Sequence, residues 1–308
     1  MPGKGKEKAR DVETRKREPE RKVLAIIGSM RRMGNCELFA KAVSANIPVK
    51  HTLQLVRLPD LDILPCRGCY ACVTEGECRI RDDIHFLIDR IVSADALIIA
   101  SPVYFLGTHA SVKRLLDRAF SFFSTVEKIS KKPCLLVNTY GMENRIGTSA
   151  QALLTLASFL GLDVKASVSL KAALPGEILA TKKNLEWASR LGKLLFSKDK
   201  KRREGRSCPF CGNDIIRMRR RDFVCTLCHG SFSLDGKGRP VKGGPGWDVG
   251  SIEFVHAHRE WLKGMKERFL AERKELLRLA LPYRDMGHWV EPPVEALKSP
   301  EENPQEEP

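Results

Sequence analysis

Val23-Leu24-Ala25-Ile26-Ile27-Gly28-Ser29-Met30-Arg31-Arg32-Met33-Gly34-Asn35-Cys36 is the stretch on which the fold turns. A short apolar run, Val23 to Ile27, ends at a glycine and reads as a buried strand. The polar loop after it opens onto Cys36 to Ala45, where apolar residues recur at helical spacing. A strand, a glycine-containing loop and a helix N-terminus together make an anion site, because free backbone N–H groups and the helix dipole favour a phosphate there. Ser29 adds a hydroxyl donor and Arg31 a charge-assisted one. The loop lacks both the dinucleotide glycine fingerprint and a Walker lysine–serine pair. A single phosphate monoester therefore fits it better than a pyrophosphate. Taken alone, the loop reads equally well as a solvated strand-to-helix turn.

The surrounding sequence favours the first reading. His51 to Leu58 alternates, with Leu53, Leu55 and Arg57 on one face. Asp82 to Val92 is helical and opens on Asp82 and Asp83, where the helix dipole favours negative charge. Ala96–Ala100, Cys134–Asn138 and Val164–Leu170 read as further buried strands. His109–Phe123, Ser149–Leu160 and Lys182–Phe196 read as helices. Strands alternating with helices give an α/β fold with a parallel sheet covered on both faces. Five strands with the first one central give the doubly wound order 2-1-3-4-5, whose ligands sit at the carboxyl ends of the strands, at the switch point. Two further loops fall at those ends. Ser101-Pro102-Val103-Tyr104-Phe105-Leu106-Gly107-Thr108 offers a stiff turn and an aromatic platform for a flat ring. Thr139-Tyr140-Gly141-Met142-Glu143-Asn144 is placed to close the far side of that ring.

Eight of the ten cysteines fall into two groups. Cys66, Cys69, Cys72 and Cys78 are spaced C-x2-C-x2-C-x5-C, so three thiolates at three-residue steps converge on one small object. Compact runs of this kind ligate [4Fe–4S] clusters, where each thiolate takes one iron. Zinc, or no metal, is the competing reading. Arg67, Arg79 and Arg81 lie within or beside the group, as a cationic surround for a dianionic cluster or as ordinary surface charge. Cys208, Cys211, Cys225 and Cys228 are spaced C-x2-C-x13-C-x2-C, two knuckles separated by a hairpin-length gap, which is the pattern of a zinc ribbon. Rubredoxin-like iron is its rival. A module this small needs a metal to fold.

These readings divide the chain into a charged arm (1–21), the α/β domain (22–197), a basic linker (198–205), the ribbon (206–235), a C-terminal helix (250–281) and a Pro/Glu-rich tail (282–308). Trp261, Leu262, Met265, Phe269 and Leu276 form a stripe on that helix, which reads as core or oligomer contact. The formal net charge is +15, concentrated in the arm and around the linker. Such runs attract acidic partners or nucleic acid, but more often they are solvated. The charged N-terminus has no signal-peptide pattern and there is no long apolar run, so the expectation is a cytoplasmic protein that does not span a membrane.

The loop Gly28-Ser29-Met30-Arg31 through Gly34-Asn35, the Asp82-Asp83 pair, and Ser101-Pro102-Val103-Tyr104 followed by Lys113 and Asp117-Arg118 resemble the flavodoxin-fold, NADPH-dependent FMN reductase-like proteins. With the cysteine block between them, the sequence resembles more specifically the iron–sulfur flavoproteins, over roughly residues 22–197. The resemblance implies FMN, with its phosphate on Ser29, Arg31, Gly34, Asn35 and Cys36. It places the isoalloxazine on Pro102, Val103, Tyr104 and Phe105, with Tyr140 and Gly141 beyond. The last phosphate-loop position usually carries a hydroxyl; here it is Cys36, a weak donor. The expected activity is electron transfer between a one-electron donor such as ferredoxin, a [4Fe–4S] cluster and FMN. The resemblance also implies a homodimer or homotetramer. An NAD(P)H-dependent FMN or quinone reductase with structural cysteines is one alternative. A redox-responsive protein whose basic ribbon (Arg217, Arg219, Arg220, Arg221) binds nucleic acid or a protein is another, with only that arginine-rich arm in its favour.

Overall fold

A computed structural model describes residues 19–143, 145–198, 207–219, 222–281 and 284. Most of the arm (1–18), the linker from residue 199 to 206, Arg220, Arg221 and nearly all of the tail lie outside these residues. The α/β part runs β1 (Arg21–Ile27), α1 (Asn35–Ser44), β2 (His51–Arg57), α2 (Ala71–Thr74), α3 (Ile84–Ser93), β3 (Ala96–Tyr104), β4 (Gly107–Thr108), α4 (Ala110–Asp117), α5 (Val126–Ile129), β5 (Pro133–Tyr140), α6 (Ser149–Phe159), β6 (Asp163–Lys171) and α7 (Lys182–Leu195).

The strand order is β2-β1-β3-β5-β6, with the short β4 paired to β3 outside that path. The five long strands pair in parallel. This is the expected flavodoxin-like, doubly wound arrangement. Alternation along each strand sends side chains to two separate cores. Leu24, Ile26, Leu97, Ile99 and Leu136 pack with Leu87, Ile91, Leu115 and Leu153 on one face. Val23, Ala25, Ile98, Leu135 and Val137 pack with Phe39, Val43, Leu191 and Leu195 on the other. Both faces being covered explains why β1 reads as a continuous apolar run.

One expectation about the α/β part needs correction. The expected helix His109–Phe123 is broken. Helix α4 stops at Asp117, and a 3-10 turn spans Ala119–Phe122. Arg118 sits at the break with φ −96° and ψ 7°, and the break turns its side chain inward, to 1% exposure.

Beyond the linker, β7 (Ile216–Arg219), β8 (Asp222–Cys225), β9 (Ser231–Leu234) and β10 (Pro240–Lys242) form an antiparallel sheet, followed by α8 (Ile252–Ala280). The sheet runs past the expected boundary at residue 235. Pro240 reads as a loop signal in sequence but is tolerated on β10, which is an edge strand. The chain divides into units 1–260 and 261–308. In the second, α8 leaves Trp261, Phe269 and Leu276 exposed, so these members of the expected stripe are not core. No helix among the described residues is long and apolar enough to cross a membrane.

Candidate cofactor cleft and cysteine centres

The three strand-end loops meet. A cleft of about 200 Å³ is lined by Ser29, Arg31, Asn35, Cys36, Pro102, Val103, Tyr104, Thr139, Gly141, Ala172 and Ala173. It gathers eight of the expected site residues at the carboxyl ends of β1, β3 and β5. Gly34 is the N-cap of α1, beside the cleft but not lining it. Tyr140 also lies outside the lining. Phe105, expected under the ring, stands fully exposed at the tip of the β3–β4 hairpin.

The phosphate loop is held from below by a cluster of charges. Arg57 donates to the carbonyls of Ser29 (3.0 Å) and Arg31 (2.8 Å) and pairs with Glu37 at 2.7 Å. Glu37 also accepts from the Met33 N–H at 2.9 Å and from Lys41 at 2.6 Å. Burial alone would raise the Glu37 carboxyl, but these donors outweigh it and hold its pKa down to about 2. Arg57 and Glu37 are consumed in shaping the loop, which leaves Arg31 as the cation that faces the cleft. Among the described residues its guanidinium has no ion pair. The α1 N-terminus carries no side-chain cap, so its first-turn N–H groups are open to an anion. An anionic group fits this end of the cleft.

Asn35 is engaged otherwise than expected. Its amide donates to the carbonyls of Ala172 (3.1 Å) and Leu174 (3.0 Å), and its oxygen accepts from the Ile178 N–H at 3.3 Å. Only its backbone N–H remains for a phosphate, while its side chain draws the loop after β6 against the cleft. Cys36 meets the Thr139 hydroxyl at 3.3 Å. Burial pushes its thiol up to about 11, against the lowering effect of Thr139, so it stays neutral near pH 7.

The first cysteine group lies on the loop through α2. Gly68 (φ 63°) and Tyr70 (φ 60°) are both left-handed, which curls the chain so that Cys66, Cys69 and Cys72 lie near one another. Burial, and then the charges of Cys78, Cys66 and Cys69, push the Cys72 thiol up to about 11. The Gly68 N–H donates to the Cys66 sulfur at 3.5 Å. Arg118 donates to the Cys78 sulfur at 3.3 Å, to Asp82 at 2.5 and 3.2 Å, and to the Leu64 carbonyl at 2.6 Å. Asp82 further accepts from the N–H groups of Leu64 and Ile84. Burial would raise the Asp82 carboxyl, but Arg118 and these N–H groups outweigh it and hold it below the usual range. Curled backbone, N–H···S contacts and a buried cation at one sulfur fit a multi-iron anionic cluster, whose potential such donors raise. Of the arginines read either as a cluster surround or as surface charge, Arg79 pairs with Glu75 at 2.6 Å and Arg81 with Glu77 at 4.0 Å. Arg118 supplies the cation instead. In sequence its only sign was membership of the Asp117-Arg118 pair.

The second group converges more tightly. Among the described residues, Cys208, Cys211, Cys225 and Cys228 alone bring three or more ligand atoms within 4.8 Å of one another. Cys208 and Cys228 sulfurs are 3.6 Å apart, Cys211 and Cys225 3.5 Å. A tetrahedral ion with about 2.3 Å metal–sulfur bonds needs sulfurs roughly 3.8 Å apart, so this site fits one ion. The Leu227 and Gly230 N–H groups donate to Cys225 and Cys228 at 3.4 Å. Of the arginine-rich arm, Arg217 and Arg219 stand exposed on β7.

Comparison with known proteins points the same way. The family model for NADPH-dependent FMN reductase matches residues 21–173. An iron–sulfur flavoprotein of Methanocaldococcus jannaschii is 38% identical over 99 residues, 32% of this chain and 51% of that protein. An iron–sulfur flavoprotein of Archaeoglobus fulgidus is 34% identical over 98 residues, 32% of this chain and 48% of that protein. The chain spans about half the length of the curated relatives it matches. A flavone reductase of known structure superposes with a TM-score of 0.64 at 16% identity, covering 88% of this chain and 100% of that one, a likeness of fold.

Proposed function

Because residues 21–173 belong to the NADPH-dependent FMN reductase family, we propose that this chain is an FMN-dependent electron-transfer oxidoreductase of the iron–sulfur flavoprotein kind. The observation that carries the reading is the pairing of two sites on one domain. One is a cleft with an unspent arginine and an uncapped helix N-terminus. The other is a curled four-cysteine loop with a buried cation at one sulfur. Bound there, FMN supplies one- and two-electron chemistry and a [4Fe–4S] cluster supplies single electrons. Ser29, Arg31 and the α1 N–H groups would hold the phosphate, and Pro102 to Tyr104 with Gly141 would hold the ring. Cys66, Cys69, Cys72 and Cys78 would hold the cluster, and the donor is a ferredoxin-like protein. The chain assembles as a homodimer or homotetramer in the cytoplasm, a compartment in which free thiols serve metals.

Purified protein should be yellow and release FMN. Arg31→Ala should weaken FMN binding by about 1–3 kcal/mol, the range for a hydrogen bond to a charged group, measured by flavin fluorescence titration. Unchanged affinity, or FAD as the bound flavin, would remove the phosphate-loop assignment.

The family description favours a second reading, in which NADPH reduces the flavin directly and the cysteines are structural. Anaerobic flavin bleaching by NADPH, at equal rates with the cysteine loop intact and disabled, would establish it.

For the second centre the proposal is zinc. About one zinc per chain is expected by elemental analysis, on four-thiolate grounds. Cys211→Ser should abolish it and unfold the ribbon without releasing flavin. Flavin lost together with the metal would show that the two parts do not fold separately.

A further inference from the structure

The ribbon and the first cysteine loop are joined by a continuous series of contacts. Gly246 packs against the second knuckle so closely that a Cβ there would lie 2.8 Å from the Cys228 sulfur and 2.6 Å from its carbonyl oxygen. The next residue, Trp247, donates its N–H to the Cys228 carbonyl at 2.7 Å. Its ring lies 4.9 Å from His229, which follows Cys228. Rings then follow one another toward the α/β domain: Trp247 to Phe254 at 5.9 Å, Phe254 to His258 at 6.1 Å, and His258 to Phe120 at 5.6 Å. Phe120 stacks on Phe123 at 5.1 Å. Both lie within five residues after Arg118, the residue that reaches Cys78.

The series ends on the cysteine loop. Arg259 donates to the carbonyl of Val73 at 2.9 Å, and its guanidinium lies 5.9 Å over the Phe123 ring. Val73 is fully buried and immediately follows Cys72. Helix α2, on which Cys72 sits, has four residues and a left-handed N-cap at Tyr70. A helix that short does not hold itself, so its shape is imposed from outside, by the burial of Val73 and the Arg259 bond to its carbonyl, while Arg118 holds Cys78 further along the loop.

We propose that the C-terminal four-cysteine centre is a clamp on the first cysteine loop, with Arg259 as the positioning residue. Metal at Cys208, Cys211, Cys225 and Cys228 fixes Gly246 and Trp247, the ring series fixes the start of α8, and Arg259 then holds the backbone beside Cys72. The ribbon thus serves cluster retention, and metal loss there opens the cluster loop while leaving the flavin cleft intact. This rests on the reading that Cys66, Cys69, Cys72 and Cys78 hold a cluster.

The test uses the full chain, purified anaerobically with flavin and both metals bound. Acid-labile sulfide per FMN and the decay of visible circular dichroism after exposure to air are followed in wild type, Arg259→Ala, Arg259→Lys and Cys211→Ser. Arg259→Ala is expected to keep its zinc and FMN but to lose sulfide about tenfold faster or more, the factor that a hydrogen bond from a charged group commands. Arg259→Lys, which still donates, should fall between. Cys211→Ser should lose zinc and sulfide together and keep FMN. Sulfide decay at the wild-type rate in Arg259→Ala, with zinc present, overturns the clamp and leaves the proposed function standing. Wild type that contains no sulfide overturns both.

Discussion

Cys69→Ala protein prepared without oxygen is expected to contain no acid-labile sulfide, while wild type contains iron and sulfide in nearly equal amounts and both keep FMN. The loss should be complete rather than graded, because the cluster takes one thiolate per iron and Cys69 lies at the exposed middle of the curled loop. FMN should remain because its cleft is built from the ends of β1, β3 and β5 and includes none of these four cysteines. Reduction of the flavin by a one-electron protein donor should slow far more than reduction by dithionite, which reaches the flavin directly. Metal analysis, sulfide assay and stopped-flow bleaching read the three quantities. Zinc or no metal at Cys66, Cys69, Cys72 and Cys78 in anaerobic wild type would sink the electron-transfer reading and leave the NADPH-dependent reductase in its place.

The second large effect is on stability. Arg118→Leu should destabilise the α/β domain by about 3–5 kcal/mol, the cost of breaking a buried ion pair on one side only. Both partners are nearly inaccessible, at 1% and 0% side-chain exposure, and removing Arg118 strands the Asp82 charge beneath Leu64. Denaturant midpoints measure the loss. Arg118→Leu combined with Asp82→Asn should cost less than the sum of the single changes, since the second change removes the stranded charge. The pair also sets an acid limit. The Asp82 carboxyl is held below its unfolded value of about 3.9, so its contribution is fully present above that pH and is lost as pH falls through the lower folded value. In Arg118→Leu that acid-side slope should flatten. An additive double variant would show that the two residues do not act as a pair.

Sequence made the sheet legible because a doubly wound fold writes itself in alternating apolar runs and amphipathic helices, and because the ligand loops must follow strand ends. Most of the cleft could be read for that reason: Ser29, Arg31, Pro102 and Gly141 belong to loops whose position the topology determines. What escaped depends on contacts between residues far apart in the chain. Thr139 is one polar residue among several in its loop, and Ala172 and Ala173 carry no chemical signature, yet all three line the cleft. Sequence places Arg57 only on a strand face with Leu53 and Leu55, though it shapes the phosphate loop with Glu37. Arg118 looked like a residue inside a helix, and nothing local announces a helix break that turns a cation into the core. Asn35 lines the cleft, but no local pattern shows that its amide is claimed by a loop more than a hundred residues away. For the arginines near the first cysteine group two readings stood side by side, and the local one accounts for Arg79 and Arg81, whose carboxylate partners lie four residues back in the sequence.

The Asn35 bonds to Ala172, Leu174 and Ile178 also have a meaning for how the protein is made. They span 137, 139 and 143 residues, so the two sides of the cleft are synthesised at opposite ends of the domain. Within the domain the phosphate loop is made early, yet its far wall does not exist until residue 178 has followed. A nascent chain therefore carries an unfinished cleft through most of its synthesis, and closing it requires the non-local pairing of β5 with β6, the kind of contact that forms slowly. Flavin capture therefore waits until the chain through residue 178 has been made and paired.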